Sequence, residues 1–566
     1  MSLVCVFFFF FFFFFFFFFF FFFFFKMFEL SSSVLHIFWW APEPPFNFTL
    51  VFLLDWISLF FISLIFLVSG CVLMYSLEYM SGDRGFIRFY FLVFLFILSM
   101  ILLILMPDLI CMLLGWDGLG LVSFCLVVFY QNKVSLVSGL ITVFTNRLGD
   151  VGLILSIGWL VNYGSWHFIM YGFDEKFGYI NFLGVFICVS VFTKSAQFPF
   201  SAWLPFAMAA PTPVSSLVHS STLVTSGVYL MIRFNFFFGG VLSFMLMIFS
   251  LMTIILAGVT ACFENDLKSI IALSTLSQLG FMMFCLSLGL VSLGFIHLLL
   301  HALFKSLLFL CSGFFIYSFW GLQDIRLMGN IINCFPFVGS MFILGVLSLC
   351  GFPFFCGFYS KDFIIELTLL EDLSFFFFFF FCLGISFTLI YSFRLIYYIF
   401  FGSCFLKLIN YLNSYYFMSV SIGILGSLSI FVCACFCSRS SGQTPAPFWT
   451  KFSMHILLVY PLSGFFFFFF LYMINLVLLS IYSGLWIFKF IIFSYLFNTL
   501  SLNFSLLILV YNFYYWLWFL WNMMKGVFKY LKVGCQFLWV IKLGFLFKFI
   551  GLSPEGIFFF FFFMYN

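Results

Sequence analysis

Charge is what this sequence has least of. Asp, Glu, Lys and Arg together make up 7% of its 566 residues, against 66% hydrophobic residues. A soluble domain carries roughly 25% charged residues to keep its surface in water, so no fold of this chain presents a mainly wetted exterior. Long polar stretches are missing as well. The longest, 163–179 and 438–451, are too short to hold a soluble domain. No basic run interleaved with aromatics is present, which removes the usual footprint of nucleic-acid binding, and the net charge of +4 is small for the length. The 17 cysteines include no C-x-x-C pair. Cys433, Cys435 and Cys437 cluster inside an apolar stretch, where cysteine also serves as a small hydrophobe. No small-residue cleavage site follows the first apolar run.

Apolar runs are what remains. Stretches of about 18 residues or more, each long enough to cross a hydrocarbon core, follow one another almost without a break. The period-2 alternation of a membrane barrel is absent, so the fold class is all-α: a polytopic membrane protein. Hydropathy places spans near 4–25, 50–75, 87–106, 109–130, 134–162, 180–198, 201–235 with interruptions, 237–261, 268–289, 292–318, 335–350, 354–373, 375–401 and 415–437. Two or three more follow residue 455, giving about 14–16 transmembrane helices. Phenylalanine accounts for 108 residues and fills every position from Phe7 to Phe25, a composition that points to a T-rich gene. As a helix that run is roughly 28 Å long, one hydrocarbon thickness, with Lys26, Glu29, Trp39 and Trp40 as interfacial anchors. It reads as a lipid-facing span.

Ionisable groups at membrane depth cost about 2.5–3.5 kcal/mol each and are paired or functional by default. Asp117 sits among glycines in "LLGWDGLGLVSFC", and Lys194 closes an apolar run five residues before Pro199. His297, His301 and Lys305 fall at i, i+4 and i+8 on one helical face. Lys361 and Asp362 lie in a glycine- and proline-interrupted segment. Blander readings exist for each. A lysine near a helix end can snorkel, and a histidine pair at i, i+4 can bind zinc or haem, although no third ligand and no H-E-x-x-H glutamate accompanies this one. "TKSAQ" lacks the glycines of a phosphate loop, and "GLGLVS" lacks a dinucleotide fingerprint's third glycine. Burial pulls a lysine toward neutrality and an approaching carboxylate pulls it back, so lysines, histidines and carboxylates on successive helices can pass protons. Pro199, Pro211 and Pro213 interrupt the helix after Lys194, and Pro353 does so before Lys361. Broken helices at the midplane mark transporters. The chemistry points to proton or cation translocation.

These residues carry a resemblance. "GWDGLGLVSFCLVVFYQNK", "NRLGDVGLILSIGWL", "FTKSAQFPFSAWLPFAMAAPTPVSSLVHSSTLVTSGVYLMIRF", "DLKSIIALSTLSQLGFMM", "HALFKSLLFLCSG", "QDIRLMGN" and "GFYSKD" resemble the antiporter-like membrane subunits of NADH:quinone oxidoreductase, respiratory complex I. The likeness runs over about residues 50–400 and is greatest to the largest of these subunits in its mitochondrial form. It implies antiporter-like inverted repeats with two broken helices, and a C-terminal lateral helix along the membrane arm. It also implies N-terminal helices over 1–85, a translocating core over 86–405 and further helices over 406–566. Asp117 matches the acidic member of an acid–lysine pair, often Glu in the family, and Lys194 matches its partner on the first broken helix. His219, His297, His301 and Lys305 match a central water-lined axis, and Lys361 the lysine of the second broken helix. Arg147, Asp150, Asp266 and Lys268 fall on charge positions in supporting roles, as does Asp362 beside Lys361.

By the same resemblance, NADH, FMN, iron–sulfur clusters and ubiquinone belong to other subunits, and this chain holds no cofactor and no metal. Its partners are neighbouring antiporter-like subunits, membrane lipid, protons and internal water, with the mitochondrial inner membrane as its place. The family has two apolar segments before the position of residue 50, where this chain has one. The alternative reading is a subunit of a multi-subunit cation/proton antiporter, which shares the broken-helix motifs.

Overall fold

In lipid every backbone polar group must find its partner inside the segment, and this chain does so with helices. The computed structural model describes residues 12–21, 34–41, 48–83, 85–161, 166, 180–352, 355–370, 375–402 and 415–440. Pro353, the expected spans beyond 455 and the expected lateral helix lie outside the described residues.

Helix α1 (Phe12–Phe21) comes from the phenylalanine run. Its rings pack on α2 (Trp56–Tyr79), with Phe13 5.5 Å and Phe20 5.8 Å from the Phe66 ring. Every residue of α2 from Ser58 to Leu77 is buried, as befits a helix that is apolar all round. Its serines do not spoil this, because Ser63, Ser69 and Ser76 donate their hydroxyls back to carbonyls three residues earlier. One departure from the expected all-helical pattern precedes α2. Strands β1 (Val34–Ala41) and β2 (Phe48–Leu54) pair antiparallel, with Val34 opposite Leu54. The apolar run "FTLVFLL" is too short for periodicity to separate strand from helix, and the helix waits for Asp55. There the Asp55 N–H donates to Ser58 Oγ at 2.9 Å in a capping box.

The next helices are α3 (Phe86–Leu105), α4 (Leu109–Val127), α5 (Lys133–Leu160), α6 (Ile180–Lys194) and α7 (Phe200–Ala209). Helix α8 covers 212–233 and contains a wide turn, Ser215–Thr222, in which the Leu223 N–H reaches back five residues to Val218 O. Then come α9 (Val241–Phe263), α10 (Leu267–Ser287), α11 (Val291–Ser318) and α12 (Pro336–Cys350). The described chain ends with α13 over 358–370, α14 over 375–401 and α15 (Tyr416–Ser440). The span boundaries read from hydropathy agree with the helices from α3 on to within a few residues; of the earlier two, 4–25 is described as helix over Phe12–Phe21, and the start of 50–75 belongs to β2, with α2 running to Tyr79.

The order of lengths repeats. Helices α3 to α6 have 20, 19, 28 and 15 residues, and α9 to α12 have 23, 21, 28 and 15. In each set the 15-residue helix is followed by a break and a second short piece, α7 or α13, and the set closes with α8 or α14. Matching detail extends to the caps. Asp108 and Asp266, both extended, precede α4 and α10. The first N–H of each helix is taken by a loop carbonyl, Leu109 to Trp166 at 3.3 Å and Leu267 to Gln323 at 2.9 Å. With α6 and α7 counted as one broken crossing, five crossings separate the start of α3 from the start of α9, the odd number that sets two copies in opposite directions. The inverted repeat expected from the resemblance is thus visible in the order of elements.

Candidate functional site

Helix α4 carries Asp117 on a stretch thinned by glycine. A Cβ on Gly115 would lie 2.7 Å from the Leu103 backbone nitrogen, so only glycine lets α3 and α4 come this close. A Cβ on Gly120 would lie 3.6 Å from the Lys194 Nζ, which places Lys194 against the same helix. Lys194 is the last residue of α6 and is fully buried. Its Nζ donates to the Trp116 carbonyl at 3.0 Å and lies 4.7 Å from the Trp116 ring centroid. The indole N–H of Trp116 in turn donates to Asp150 Oδ1 at 2.9 Å. Arg147 bridges both carboxylates, with Nη1 donating to Asp150 Oδ2 at 3.1 Å and lying 3.8 Å from Asp117 Oδ1. Asp117 and Lys194 are not in ion-pair contact in this arrangement; the arginine holds the aspartate and the tryptophan holds the lysine.

Past Lys194 the chain breaks. The Trp203 indole donates to Thr193 O at 2.8 Å, taking one of the carbonyls that the end of α6 leaves open. Thr253 of α9 donates to Gln197 Oε1 at 2.8 Å, tying the break to the second repeat. Pro199 precedes the first turn of α7, Pro211 caps the start of α8, and Pro213 sits in its first turn, where a missing N–H costs nothing. Lys268, at the start of α10, donates to Met208 O at 3.2 Å and Ala210 O at 2.6 Å, so a cation from one repeat closes the open carbonyl end of α7 in the other. His219 lies in the wide turn of α8, buried, with neither ring nitrogen hydrogen-bonded to any of the described residues.

Helix α11 carries the rest of the row. Lys305 Nζ donates to Ser274 Oγ at 2.6 Å. The His301 and His297 rings are 6.3 Å apart; among the described residues His301 has no partner on either nitrogen, and His297 Nδ1 lies 2.8 Å from Ser360 Oγ. Beside Ser360, Lys361 donates to Thr388 Oγ1 at 3.0 Å and to Leu349 O at 3.3 Å. Asp362 points back at the break, where a Cβ on Gly351 would meet its Oδ1 at 3.0 Å. Asp266 stands apart: it is exposed, precedes α10 and bridges to Asp324 in the loop after α11. Among the described residues no group of three or more His, Cys, Asp or Glu is placed to hold a metal ion.

The four buried lysines share one property. Among the described residues none of Lys194, Lys268, Lys305 and Lys361 has a carboxylate oxygen within 4.0 Å. Their acceptors are hydroxyls and main-chain carbonyls. Those acceptors escaped the sequence reading, as did Trp116. The only hint of the tryptophan was its place in "GWDG" beside Asp117.

Two family profiles match the chain. One, described as NADH:quinone oxidoreductase/Mrp antiporter, TM, covers residues 106–388, and one described as NADH-Ubiquinone oxidoreductase (complex I), chain 5 N-terminus, covers 40–90. The chain is similar to NADH-ubiquinone oxidoreductase chain 5 of Aedes aegypti, 46% identical over 68% of this chain and 67% of that protein. It is also similar to the chain 5 of Anopheles gambiae, 46% identical over 62% of this chain and 61% of that one. The chain 5 of Locusta migratoria is 44% identical over 68% of this chain and 67% of its own. Two solved structures share the fold. A structure of an Mrp complex from Dietzia sp. DQ12-45-1b matches with a TM-score of 0.60 at 23% identity, over 76% of this chain and 54% of that one. An archaeal membrane-bound sulfane sulfur reductase matches at 0.63 and 21% identity, over 72% and 69%.

Proposed function

Since the chain belongs to the NADH-ubiquinone oxidoreductase chain 5 family, we propose that it carries protons across the membrane as an antiporter-like subunit of that complex. Its seat is the mitochondrial inner membrane, and other subunits bind NADH, FMN, iron–sulfur clusters and ubiquinone. The translocating core is the two repeats, within residues 86–405. The observation that carries the reading is the row of buried lysines with neutral acceptors. An ammonium locked to a carboxylate keeps its proton, whereas one held by a hydroxyl or a carbonyl in a dry interior gives it up at modest cost. The route runs from Asp117 and Lys194 past His219 to Lys305, His301 and His297, and ends at Lys361 and Asp362. Arg147, Asp150 and Lys268 tune it, and Asp266 serves the loop. Buried imidazole nitrogens without a partner among the described residues call for water, which completes a proton path between the fixed groups.

Asp117 and Arg147 also favour a neighbour. Arg147, near the middle of α5, is 48% exposed, and Asp117 is 33% exposed, on a face otherwise made of Leu114, Leu121, Phe144 and Leu148. Bare charge against lipid is costly, so a second antiporter-like subunit covers this face. The test is proton pumping by the assembled complex in sealed vesicles. Lys194→Met and Lys361→Met should assemble near wild-type levels and lose about tenfold or more in pumping rate. Wild-type pumping in either variant removes that lysine from the path. A standalone cation/proton antiporter shares the broken-helix motifs, the profile over 106–388 and the fold, but not the chain 5 relatives or the chain 5 N-terminal profile; co-purification of the chain with NADH-oxidising subunits separates the two.

A further inference from the structure

Trp116 is as large as any side chain at the site and is no part of the relay. It is fully buried, and it touches both of the opposite charges around it: the edge of its indole donates to Asp150 Oδ1 at 2.9 Å, and its face lies under the Lys194 ammonium, 4.7 Å from the centroid. The same residue's carbonyl accepts from Lys194 at 3.0 Å. We propose that Trp116 is a positioning residue, holding Lys194 and Asp150 on two sides of one ring so that the ammonium feels the carboxylate without pairing with it. The assignment rests on the reading of Lys194 as a proton carrier.

The internal repeat supports it independently. Trp116 is the eighth residue of α4, and the eighth residue of α10 is Ser274, whose hydroxyl holds Lys305 at 2.6 Å. The same helix position touches a buried lysine in both halves. In the second half it is a small hydroxyl, and among the described residues no carboxylate pairs with Lys305. In the first it is an indole, whose face attracts a cation and whose N–H is a donor only. Direct contact between Lys194 and Asp150 would give a buried ion pair, costly to break; with its N–H on the carboxylate and its face to the ammonium, the indole gives each group a contact of its own instead. The charged groups facing Asp150 are Arg147 on its own helix, Asp117 on α4 and Lys194 on α6, and α7, also packed on α5, brings none.

The experiment compares Trp116→Phe, Trp116→His and Lys194→Met in the assembled complex in sealed vesicles. It reads pumping rate, KM for NADH and quinone, and the pH profile of coupled turnover. Phenylalanine keeps the ring face and the main-chain carbonyl but deletes the donor to Asp150. The carboxylate then loses a hydrogen bond, and the acid limb of the profile shifts by about one pH unit. KM values stay at wild type, and Trp116→His, which restores an N–H, brings the limb back. A Trp116→Phe profile that superimposes on wild type overturns the assignment. So does a fall in assembly alone, equal in both variants, or failure of both to assemble, since either makes Trp116 a packing residue. Wild-type pumping by Lys194→Met instead removes the relay reading on which the assignment stands.

Discussion

At the scale of the residue, what separates this site from a set of structural ion pairs is the choice of acceptor. Lys305 against Ser274 and Lys361 against Thr388 are held by oxygens with no charge to lose. By contrast, Arg233 is paired with Asp55 at 2.9 Å and bonded to the Tyr229 hydroxyl at 2.8 Å, a buried clamp that joins the start of α2 to α8. An arginine there serves the fold because it keeps its proton. Outside the membrane, Arg326 donates to both Asp324 oxygens, and those hydrogen bonds hold the Asp324 carboxyl below its ordinary value of 3.8. A depressed carboxylate contributes stability that is present above its unfolded pKa and is lost only as pH falls through the folded one. The Asp324–Arg326 contact is therefore constant between about pH 5 and 8. Arg326→Gln should leave the pH profile of turnover unchanged in that window, and a shifted limb would place this loop in the proton path. Gly115 makes a steric prediction of its own. An alanine Cβ would stand 2.7 Å from the Leu103 nitrogen, so Gly115→Ala should cost about 1–3 kcal/mol and lower the yield of assembled complex. Unchanged thermal stability of the variant would show that α3 and α4 have room to move apart.

At the scale of the element, most helices were legible because membrane spans announce themselves by length and apolarity, and α4, α5, α10 and α11 lie where hydropathy put them. The β1–β2 ribbon was not, since "FTLVFLL" satisfies a strand and a helix start equally well. The wide turn at Ser215–Thr222 was hidden too. Its hydroxyls and His219 are ordinary helix residues in a list, and only the backbone records that Leu223 bonds five residues back. Wide turns recur at Lys361 and after Arg394, consistent with their habit of marking functional positions. Helix docking also used partners far apart in the chain. Glu78, at the end of α2, accepts from the Phe417 and Met418 N–H groups at 2.9 Å each and so caps α15 from another helix. Glu78→Ala should cost about 0.5–2 kcal/mol, read as a lower midpoint in thermal unfolding of the complex. An unchanged midpoint would mean that lipid or water replaces the carboxylate at no loss.

At the scale of the whole molecule, two copies of one plan follow each other in the chain as an inverted repeat and are loaded differently. Position fifteen of the 28-residue helix is Arg147 in the first copy and Lys305 in the second; the last residue of the 15-residue helix is Lys194 in the first and Cys350 in the second. Carboxylates cluster in the first copy around Arg147, and the second relies on hydroxyls. The charged residues of this plan stood out in the sequence because they are so few. Their partners did not, because serine, threonine and a tryptophan are unremarkable among apolar residues until the fold brings them to a lysine.

The central claim is that the buried lysines release protons and are not merely fixed charges, and Lys305 tests it most directly. Arginine keeps the positive charge but does not deprotonate in a protein, whereas methionine keeps neither charge nor proton. The measurement is the ratio of protons pumped to electrons passed in sealed vesicles bearing the assembled complex. If Lys305 carries the proton, Lys305→Arg and Lys305→Met lower that ratio alike. A wild-type ratio in Lys305→Arg would show that a fixed charge is enough and would contradict the account.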